Sequence, residues 1–436
     1  MPYIRANIIT PTRGVQMRTL RVFLAVAGFV LASAAPVLAE GFALYEWSAR
    51  GIALGGATVA REPDASTVAY NPALMTKLHG IHIQGGFSAI TPDGRMQTTS
   101  GGVTQSTTLK PATWVVPHLY YTQQLSDRWF VGVGEFSRFG LGFEYPHNWP
   151  GRQNVYQVKL NTASINPNVA WKATDNLSLA AGVEFVYVKL DLKKRTVLPN
   201  PAWEIDSDIQ DAEDVSPGFN LAAHYQFNDQ WAAGLSYRSQ TKVRAWGDVD
   251  FNDVNGNIPG PVYNAAVKDG TAHAEVVFPD SVAGGVSFTP IPELSFEVGA
   301  TWTRWSTFRS LRIHIPQTIA NPEGISESKK MWDDAWRLNA GVEWKALDWM
   351  TLRAGYIWDQ SPMTEEYEDY LVPTDGRNMY SVGVGFQYDA WTLDLAYAYI
   401  DAKGRSYSSN TETHVLDSKA KSTRTDIVSM TLGYEF

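Results

Sequence analysis

The chain has 436 residues, 45 of them acidic and 36 basic, with a net charge of −9 and no cysteine. An acidic protein is a poor partner for nucleic acid, and the lack of cysteine excludes a disulfide framework. Beyond residue 39, no apolar run approaches the roughly 18 residues of a membrane-spanning helix. If the chain crosses a membrane, it therefore crosses as β-strands.

The first 39 residues predict a secretory signal peptide. Four arginines between residues 5 and 21 precede a short apolar run over residues 22–31, and small residues end at Val37-Leu38-Ala39. This order predicts cleavage before Glu40. Removing four positive charges and no negative ones leaves 397 residues (436 − 39) with a net charge of −13 (−9 − 4).

Residues 40–78 are rich in glycine, alanine and serine and carry little strand signal. Such a segment has too little apolar bulk to fold alone, so we expect it to pack inside a larger structure. We predict that it forms a plug and that residues 79–436 form a β-barrel around it.

From residue 80 onward, apolar and polar residues alternate in segments of about 10 to 15 residues bounded by turn residues. In the last segment, alternate residues from Val428 to Phe436 are apolar or aromatic. This alternation fits either a soluble sheet or an outer-membrane barrel whose apolar face meets lipid. A terminal aromatic such as Phe436 favours the barrel, because it resembles the signal by which the barrel-assembly machinery recognises such proteins.

The strand pattern predicts fourteen strands, joined alternately by tight turns and by long loops. Their predicted positions are 80–91, 112–124, 129–141, 158–172, 177–190, 216–227, 231–245, 272–289, 294–304, 334–346, 349–360, 377–388, 391–402 and 426–436. This alternation is typical of a barrel with short periplasmic turns and long extracellular loops. We predict an all-β fold, a 14-stranded antiparallel transmembrane β-barrel in the bacterial outer membrane with the plug in its lumen.

Two long loops, 191–215 and 246–271, carry acidic runs that could bind divalent cations or lie among cation-bridged lipopolysaccharide. Asp253 stands where a calcium loop of the EF type needs glycine, which favours ordinary solvated charge. The sequence has no hydrolase, metalloprotease or nucleotide-binding motif. His79 and His82 form the one close pair of histidines, at a strand start where surface histidines are common. We predict no catalytic residue, no metal and no cofactor.

Short motifs are spread over nearly all of the mature chain. They are Gly41-Phe42-Ala43-Leu44, Asn71-Pro72-Ala73, Phe139-Gly140-Leu141, Glu144-Tyr145, Trp149, Gly151-Arg152, Asn166-Pro167, Phe278-Pro279-Asp280-Ser281, Trp302, Trp305-Ser306-Thr307-Phe308, Trp332-Asp333-Asp334 and Asp359-Gln360-Ser361-Pro362. With the signal peptide, plug and strand count, this series resembles the FadL/TodX family of outer-membrane transporters for long-chain fatty acids and other hydrophobic compounds.

The resemblance implies that a ligand enters among extracellular loops, reaches a pocket in the barrel and leaves sideways at an inward kink of the third strand, triggered by plug movement. It assigns the kink and lateral gate to Glu135, Ser137, Phe139, Gly140 and Asp359. It assigns the plug contact with the wall near that kink to Asn71, Pro72 and Ala73. Cations for a ligand carboxylate would be Lys194 and, as approximate matches, Lys329 and Lys330.

The third strand supports a kink independently of the resemblance. Glu135 has the same parity as the apolar residues Trp129, Val131 and Val133. A charge on the lipid face costs roughly 2–4 kcal/mol near the membrane midplane, so a bulge between Gly134 and Gly140 is expected. A position of Glu135 near the membrane edge would also explain its parity.

The resemblance implies uptake of long-chain fatty acids, with uncharged hydrocarbons or aromatic compounds as the alternative. The expected partners are this hydrophobic small molecule, outer-membrane lipid and lipopolysaccharide, and the barrel-assembly machinery. A diffusion porin would need an open lumen, which the plug should block. A membrane hydrolase would need a catalytic pair, which the sequence does not identify.

Overall fold

The computed structural model describes residues 41–372, 374–421 and 423–436, so the predicted signal peptide and Glu40 lie outside the described residues. Its strands, in chain order, are β1 (Ile81–Asp93), β2 (Arg95–Ser100), β3 (Val103–Thr108), β4 (Trp114–Gln124), β5 (Trp129–Phe136), β6 (Leu141–Glu144), β7 (Gln157–Lys172), β8 (Leu177–Val197), β9 (Glu204–Gln226), β10 (Trp231–Arg238), β11 (Thr241–Asp253), β12 (Gly270–Phe278), β13 (Ser281–Ile291), β14 (Leu294–Thr303), β15 (Ser310–His314), β16 (Ile325–Lys329), β17 (Ala335–Leu347), β18 (Met350–Asp359), β19 (Thr374–Tyr388), β20 (Trp391–Gly404), β21 (Ser406–Tyr407), β22 (Ser418–Ala420) and β23 (Thr423–Glu435). The helices are α1 (Ala49–Ala53), α2 (Thr67–Tyr70) and α3 (Gly260–Ala266), with 3₁₀ turns at Pro72–Lys77, Pro150–Gln153 and Trp305–Thr307.

The wall is one closed antiparallel sheet of nineteen strand segments, and β2, β3, β21 and β22 form a separate small sheet. Five wall strands are broken in two, as β5/β6, β10/β11, β12/β13, β14/β15 and β16/β17, which leaves fourteen strands (19 − 5). The first strand β1 pairs with both β4 and the last strand β23, and this pairing closes the cylinder. The predicted 14-stranded barrel is confirmed.

The outward face of the wall is apolar. Along β8, for example, Leu179, Val183 and Phe185 are exposed, whereas Ala180 and Val186 on the other face of the strand are buried inside. Tryptophans stand next to the tight turns and form a belt at that end: Trp129, Trp171, Trp231, Trp349 and Trp391. An apolar band edged by aromatic residues is the pattern of a lipid-facing barrel. Among the described residues, no helix has the length and apolarity to span a membrane.

The predicted acidic loop 191–215 is mostly strand, because β8 runs to Val197 and β9 begins at Glu204. The alternation continues through the acidic run, and Ile205 is buried on the inward face. The Nζ atom of Lys193 lies 2.5 Å from Oδ2 of Asp208 on the neighbouring strand. Charges paired across neighbouring strands stabilise an extended hairpin. The acidic composition alone suggested a loop because it does not show this pairing.

Residues 41–78 form the plug, and nearly all of them are buried. The plug contacts groups on several different strands of the wall. The amide of Ala49 donates to Oγ1 of Thr431 at 2.9 Å, and the indole Nε1 of Trp47 donates to the carbonyl of Ser137 at 2.7 Å. These contacts place the plug inside the barrel.

One carboxylate of the wall fixes the middle of the plug. The side chain of Glu297 on β14 accepts hydrogen bonds from three successive plug amides, those of Val59 (2.7 Å), Ala60 (3.1 Å) and Arg61 (2.8 Å). The Arg61 guanidinium lies 3.6 Å from the same carboxylate and donates to the carbonyl of Gly341 at 2.8 Å. Both charged side chains are almost fully buried, so each depends on the other.

A second charged group holds the helix α1. Arg50 donates to Glu343 on β17 through Nε and Nη2, each at 2.8 Å. Glu343 also accepts from Arg353 at 2.6 Å, and Arg353 continues to Asp394 at 2.6 Å. Hydrogen-bonded buried charges of this kind resist separation, because breaking a pair leaves an uncompensated charge. The half of the plug near the tight turns is therefore anchored to the wall.

We expect Glu297→Ala to release the plug without opening the cylinder, because it leaves Arg61 and three amides without their acceptor. Loss of one partner of a buried ion pair costs about 3–5 kcal/mol. The measurement is limited proteolysis in detergent, with fragments identified by mass spectrometry. Cleavage within residues 41–78 should rise, while the barrel keeps its heat-modifiable migration. The control is Glu293→Ala, which removes an exposed carboxylate next to a tight turn; equal protection of the plug in both variants would contradict this role.

Candidate functional site

The third strand of the wall is broken between β5, which ends at Phe136, and β6, which begins at Leu141. On one side, β4 pairs with β1 from Trp114 to Gln123. On the other side, β4 pairs with the third strand only from Leu119 to Gln124. In the described ladders, residues 114–118 thus lack a strand partner on this edge. We call this opening, between residues 114–118 and 137–143, the wall window.

Both ends of the wall window are closed. Below it, the ladder resumes with the pair Leu119 and Glu135. Above it, the amide of Lys110 donates to the carbonyl of Glu144 at 2.8 Å. Five unpaired residues correspond to a length of about 16 Å along the strand. Pro117 lies at its edge, where the missing N–H of a proline is tolerated.

The broken segment turns inward because a charge on it is held inside the barrel. Arg138 is 4% exposed, and its Nη1 atom lies 3.1 Å from Oε2 of Glu184 on β8. Arg238 on β10 shares the same carboxylate oxygen at 3.4 Å. Glu184 is itself fully buried, so two cations balance one interior carboxylate. This ion cluster pulls the strand out of the plane of the wall.

The backbone of the break finds its hydrogen bonds elsewhere. Oγ1 of Thr162 accepts from the amide of Phe139 at 3.3 Å and donates to the carbonyl of Phe139 at 2.6 Å. The indole of Trp47 donates to the carbonyl of Ser137, and the Ser137 hydroxyl donates to the carbonyl of Thr162 at 2.5 Å. These contacts replace the missing ladder, which buried backbone requires.

The start of the plug supplies the remaining partners as a short added strand. The amide of Leu44 donates to the carbonyl of Arg138 at 2.8 Å, and the amide of Gly140 donates to the carbonyl of Phe42 at 3.0 Å. Ala43 and Phe139 form an antiparallel bridge between them. This is strand addition within one chain, and it covers the wall window from inside.

The ring of Phe42 lies in a cage of aromatic side chains. Its centroid is 4.8 to 5.9 Å from those of five rings, and the cage residues are Phe139, Phe278, Trp305, Phe308 and Trp332. Gly41 beside it has φ +45°, and a Cβ atom there would lie 2.7 Å from the Trp305 ring. The motifs around residues 41, 139, 278, 305 and 332, far apart in sequence, thus form one aromatic cluster.

A cavity of about 410 Å³ adjoins the cage and reaches the wall window. Its lining includes Phe42 and Phe139 inside, and Val115 of the outward face of β4. The Trp114 ring packs on Gly142, where a Cβ atom would lie 2.4 Å from the ring. The cavity has the size of a small-molecule pocket, with apolar walls and one side toward lipid.

Two predicted gate residues occupy the margins of this site. Glu135 belongs to the regular ladder just below the wall window and points outward, so the break follows it and is centred on Arg138. Asp359 is buried and accepts from Nε of Arg377 at 2.7 Å. Arg377 lines the cavity and reaches the carbonyl of Ala43 at 3.5 Å. Asp359 thus meets the plug through an arginine.

The structure places the predicted plug contact elsewhere in the barrel. The side chain of Asn71 donates to the carbonyls of Val59 (2.7 Å) and Ala223 on β9 (3.1 Å), and caps the turn through the amide of Ala73. Pro72 and Ala73 are buried in the same turn. We expected this motif to contact Ser137 to Gly140 and Asp359, but Phe42 to Leu44 occupy that position instead. Asn71 folds the plug and docks it to β9.

The three predicted lysines differ in their surroundings. Lys194 reaches across the lumen, and its Nζ donates to the hydroxyl of Ser326 on β16 at 3.2 Å. Lys330 is buried and forms an ion pair with Asp369. Lys329 is exposed, which does not fit its assignment as a cation for a ligand carboxylate. Among the ion pairs of the described residues, none includes Lys194.

Sequence reasoning missed Arg138, Trp114 and Pro117. The proline had a readable signal, because a proline within an apolar strand marks an unpaired edge. Arg138 next to the predicted kink was visible as an inward charge, but its partner Glu184 lies 46 residues away. Trp114 had no signal, since its packing on Gly142 depends on the break itself.

Comparisons with known proteins agree with this architecture. The long-chain fatty acid transport protein of Escherichia coli O157:H7 is 24% identical, over 87% of this chain and 92% of that protein. The crystal structure of a Pseudomonas aeruginosa FadL homologue superposes with a TM-score of 0.80 at 20% identity, covering 91% of this chain and all of that one. The Pseudomonas putida toluene transporter TodX gives 0.71 at 16% identity, covering 89% and 98%. A family model described as outer membrane protein transport protein (OMPP1/FadL/TodX) matches residues 30–436, so this chain is an outer-membrane protein of that transporter family.

Proposed function

We propose that the protein takes up long-chain fatty acids across the outer membrane and releases them sideways through the wall window. The family transports fatty acids or other hydrophobic compounds. The observation that supports lateral release is the unpaired edge of β4, which lies beside an apolar cavity and is covered by the plug alone. A long apolar tail leaves water favourably, at about 0.8 kcal/mol per buried CH₂, so a route into lipid suits it.

The opposite exit, through the plug toward the periplasm, is charged. A vestibule of about 520 Å³ lies there beside the tight turns. Its lining includes Arg50, Asp64, Lys77, Glu343 and Arg353. An alkyl chain gains nothing in such surroundings, and passage would require breaking the buried ion pairs of Arg50. This contrast favours the lateral route.

Movement of residues 41–44 would open the route. These residues hold the break through two backbone hydrogen bonds and the Phe42 ring, without an ion pair. A hydrophobic ligand that occupies the aromatic cage would compete with Phe42 for the same surface. Displacement of this strand leaves the Glu297 clamp in place, so the plug need not leave the barrel.

Hydrogen-bond donors without an anionic partner support a ligand that has a carboxylate head group. Lys194 lies about 43 Å along the membrane normal from the first residue of β8, which places it beyond the apolar band of about 25 Å. Its Nζ atom has a hydroxyl partner at 3.2 Å. Burial and the nearby Lys330 ammonium lower the pKa of Lys194, so an anion would stabilise its charge. In the cage, the indole N–H groups of Trp305 and Trp332 are buried without an acceptor among the described residues. A ligand with acceptor oxygens would satisfy donors of this kind.

Uptake of uncharged hydrocarbons or aromatic compounds by the same route is the alternative. Its support is the cage of five aromatic rings around Phe42, which suits offset or edge-to-face packing with another ring. Such ligands would need neither Lys194 nor the indole donors. We further propose that the protein has no enzyme activity of its own, and that it contacts lipid, lipopolysaccharide and the barrel-assembly machinery.

A reversible tether tests whether the plug moves. The double variant Ala43→Cys and Phe139→Cys places thiols on bridge partners, at a spacing suited to a disulfide. With no native cysteine, this is the one bond that can form. We expect oxidised protein in liposomes to take up radiolabelled oleate no faster than empty liposomes, and reduction to restore uptake. Equal uptake before and after reduction would show that residues 41–44 need not move.

We expect Lys194→Ala to weaken oleate binding about 10- to 100-fold, as loss of a charge-assisted hydrogen bond of about 1.5–3 kcal/mol implies. Binding of methyl oleate should hardly change, because the ester has no charge. Both are measured by displacement of a fluorescent fatty acid from purified protein. Lys329→Ala, which removes an exposed lysine of the same region, serves as the control. Equal losses for acid and ester would exclude Lys194 as the charge partner.

A further inference from the structure

Two histidines and a glutamate meet on the outward face of the wall. His273 on β12 and His314 on β15 are antiparallel partners, and Glu275 follows two residues along the same face. His273 lies 18 residues from Ile291 at the tight turn, about 45 Å along the membrane normal. The group therefore stands above the apolar band, on paired strands that hold it rigidly.

The three side chains are close enough to share one ion. Their nearest ligand atoms all lie within 4.8 Å of one another. Nε2 of His273 is 3.8 Å from Oε1 of Glu275, and Nε2 of His314 is 3.7 Å from Oε2. Each distance is close to the span of about 4 Å that two ligands at about 2.0–2.1 Å from a metal can reach.

The surroundings leave the two imidazoles available. The rings are stacked at 4.2 Å and are nearly parallel, and Trp246 packs on the outer side of His273 at 4.3 Å. Nε2 of His314 is buried without a hydrogen-bond partner among the described residues.

We propose that His273, His314 and Glu275 form a binding site for a divalent transition-metal ion on the extracellular part of the barrel. Two imidazoles and a carboxylate favour Zn²⁺, Ni²⁺ or Cu²⁺ over Mg²⁺ and Ca²⁺, which prefer oxygen ligands. A small rotation of the stacked rings directs both nitrogens to one ion, and solvent completes the coordination. None of these residues belongs to the wall window or the plug, so the site is separate from the transport route.

Nearby charges define the geometry and the limits of the site. Arg244 donates to Oε1 of Glu275 from Nε at 2.9 Å and from Nη2 at 2.5 Å, which leaves Oε2 facing His314. Such a partner orients a ligating carboxylate. Arg312 is the ladder partner of Glu275, but it pairs with Glu327 at 3.1 Å. The two arginines lower the affinity for a cation, and protonation of either imidazole abolishes ligation.

The test is titration of the full barrel in detergent, without a polyhistidine tag, with Zn²⁺ and with Mg²⁺ by calorimetry. We expect one Zn²⁺ per chain at pH 7.5 and no Mg²⁺ binding at equal concentration. His273→Asn and His314→Asn should each weaken Zn²⁺ binding at least about tenfold. With Cu²⁺, electron paramagnetic resonance should show two nitrogen ligands in the native protein and one in each variant.

The matched control is His147→Asn. His147 also faces a carboxylate, Glu144 at 3.7 Å, but it has no second imidazole in that pair. Zn²⁺ binding should be unchanged in this variant, and heat-modifiable migration on gels verifies folding of every variant. Absence of stoichiometric Zn²⁺ binding, or equal affinity in the three variants, would overturn the proposal. Unchanged oleate uptake with and without Zn²⁺ is expected, since the site is distant from the wall window.

Discussion

Backbone polar groups at membrane depth must find partners within the protein, and the break at residues 137–140 exists only because other groups provide them. Thr162 and the start of the plug replace the ladder that β4 cannot complete. The wall window and the plug therefore depend on each other, because the plug supplies two of the hydrogen bonds that the broken strand has lost. A wall with this gap and no plug would expose unsatisfied amides to lipid.

The plug is attached in two chemically different ways. Toward the periplasm, buried carboxylates such as Glu297 accept its amides and neutralise its arginines. At the wall window, two short backbone contacts and the packing of Phe42 hold residues 41–44. A hydrophobic ligand can replace apolar packing contacts, but it cannot replace buried ion pairs. Transport of hydrophobic molecules and a sealed lumen are thereby compatible.

The strands and the plug were predictable because their signals are local, in the alternation of side chains and in the small-residue composition of residues 40–78. The acidic stretch of residues 204–214 was misread, since composition suggested loop while its alternation continued the strand. Contacts between distant residues were out of reach. Arg138 and Glu184 are far apart in sequence, as are His273 and His314, and no spacing rule connects them. The Asn71 motif was assigned to the wrong wall contact for the same reason.

The position of the plug has a consequence for assembly. Its partners Glu297, Glu343 and Thr431 follow it by 238, 293 and 382 residues, so the segment exported first is the last to find its contacts. Until the final strands have formed, the plug lacks these contacts and remains unfolded among strands that are not yet paired. Glycines, two prolines and charged residues interrupt its apolar side chains, which makes such a segment a poor nucleus for aggregation. The glycine, alanine and serine content that suits a close fit inside the barrel also protects the chain during its passage through the periplasm.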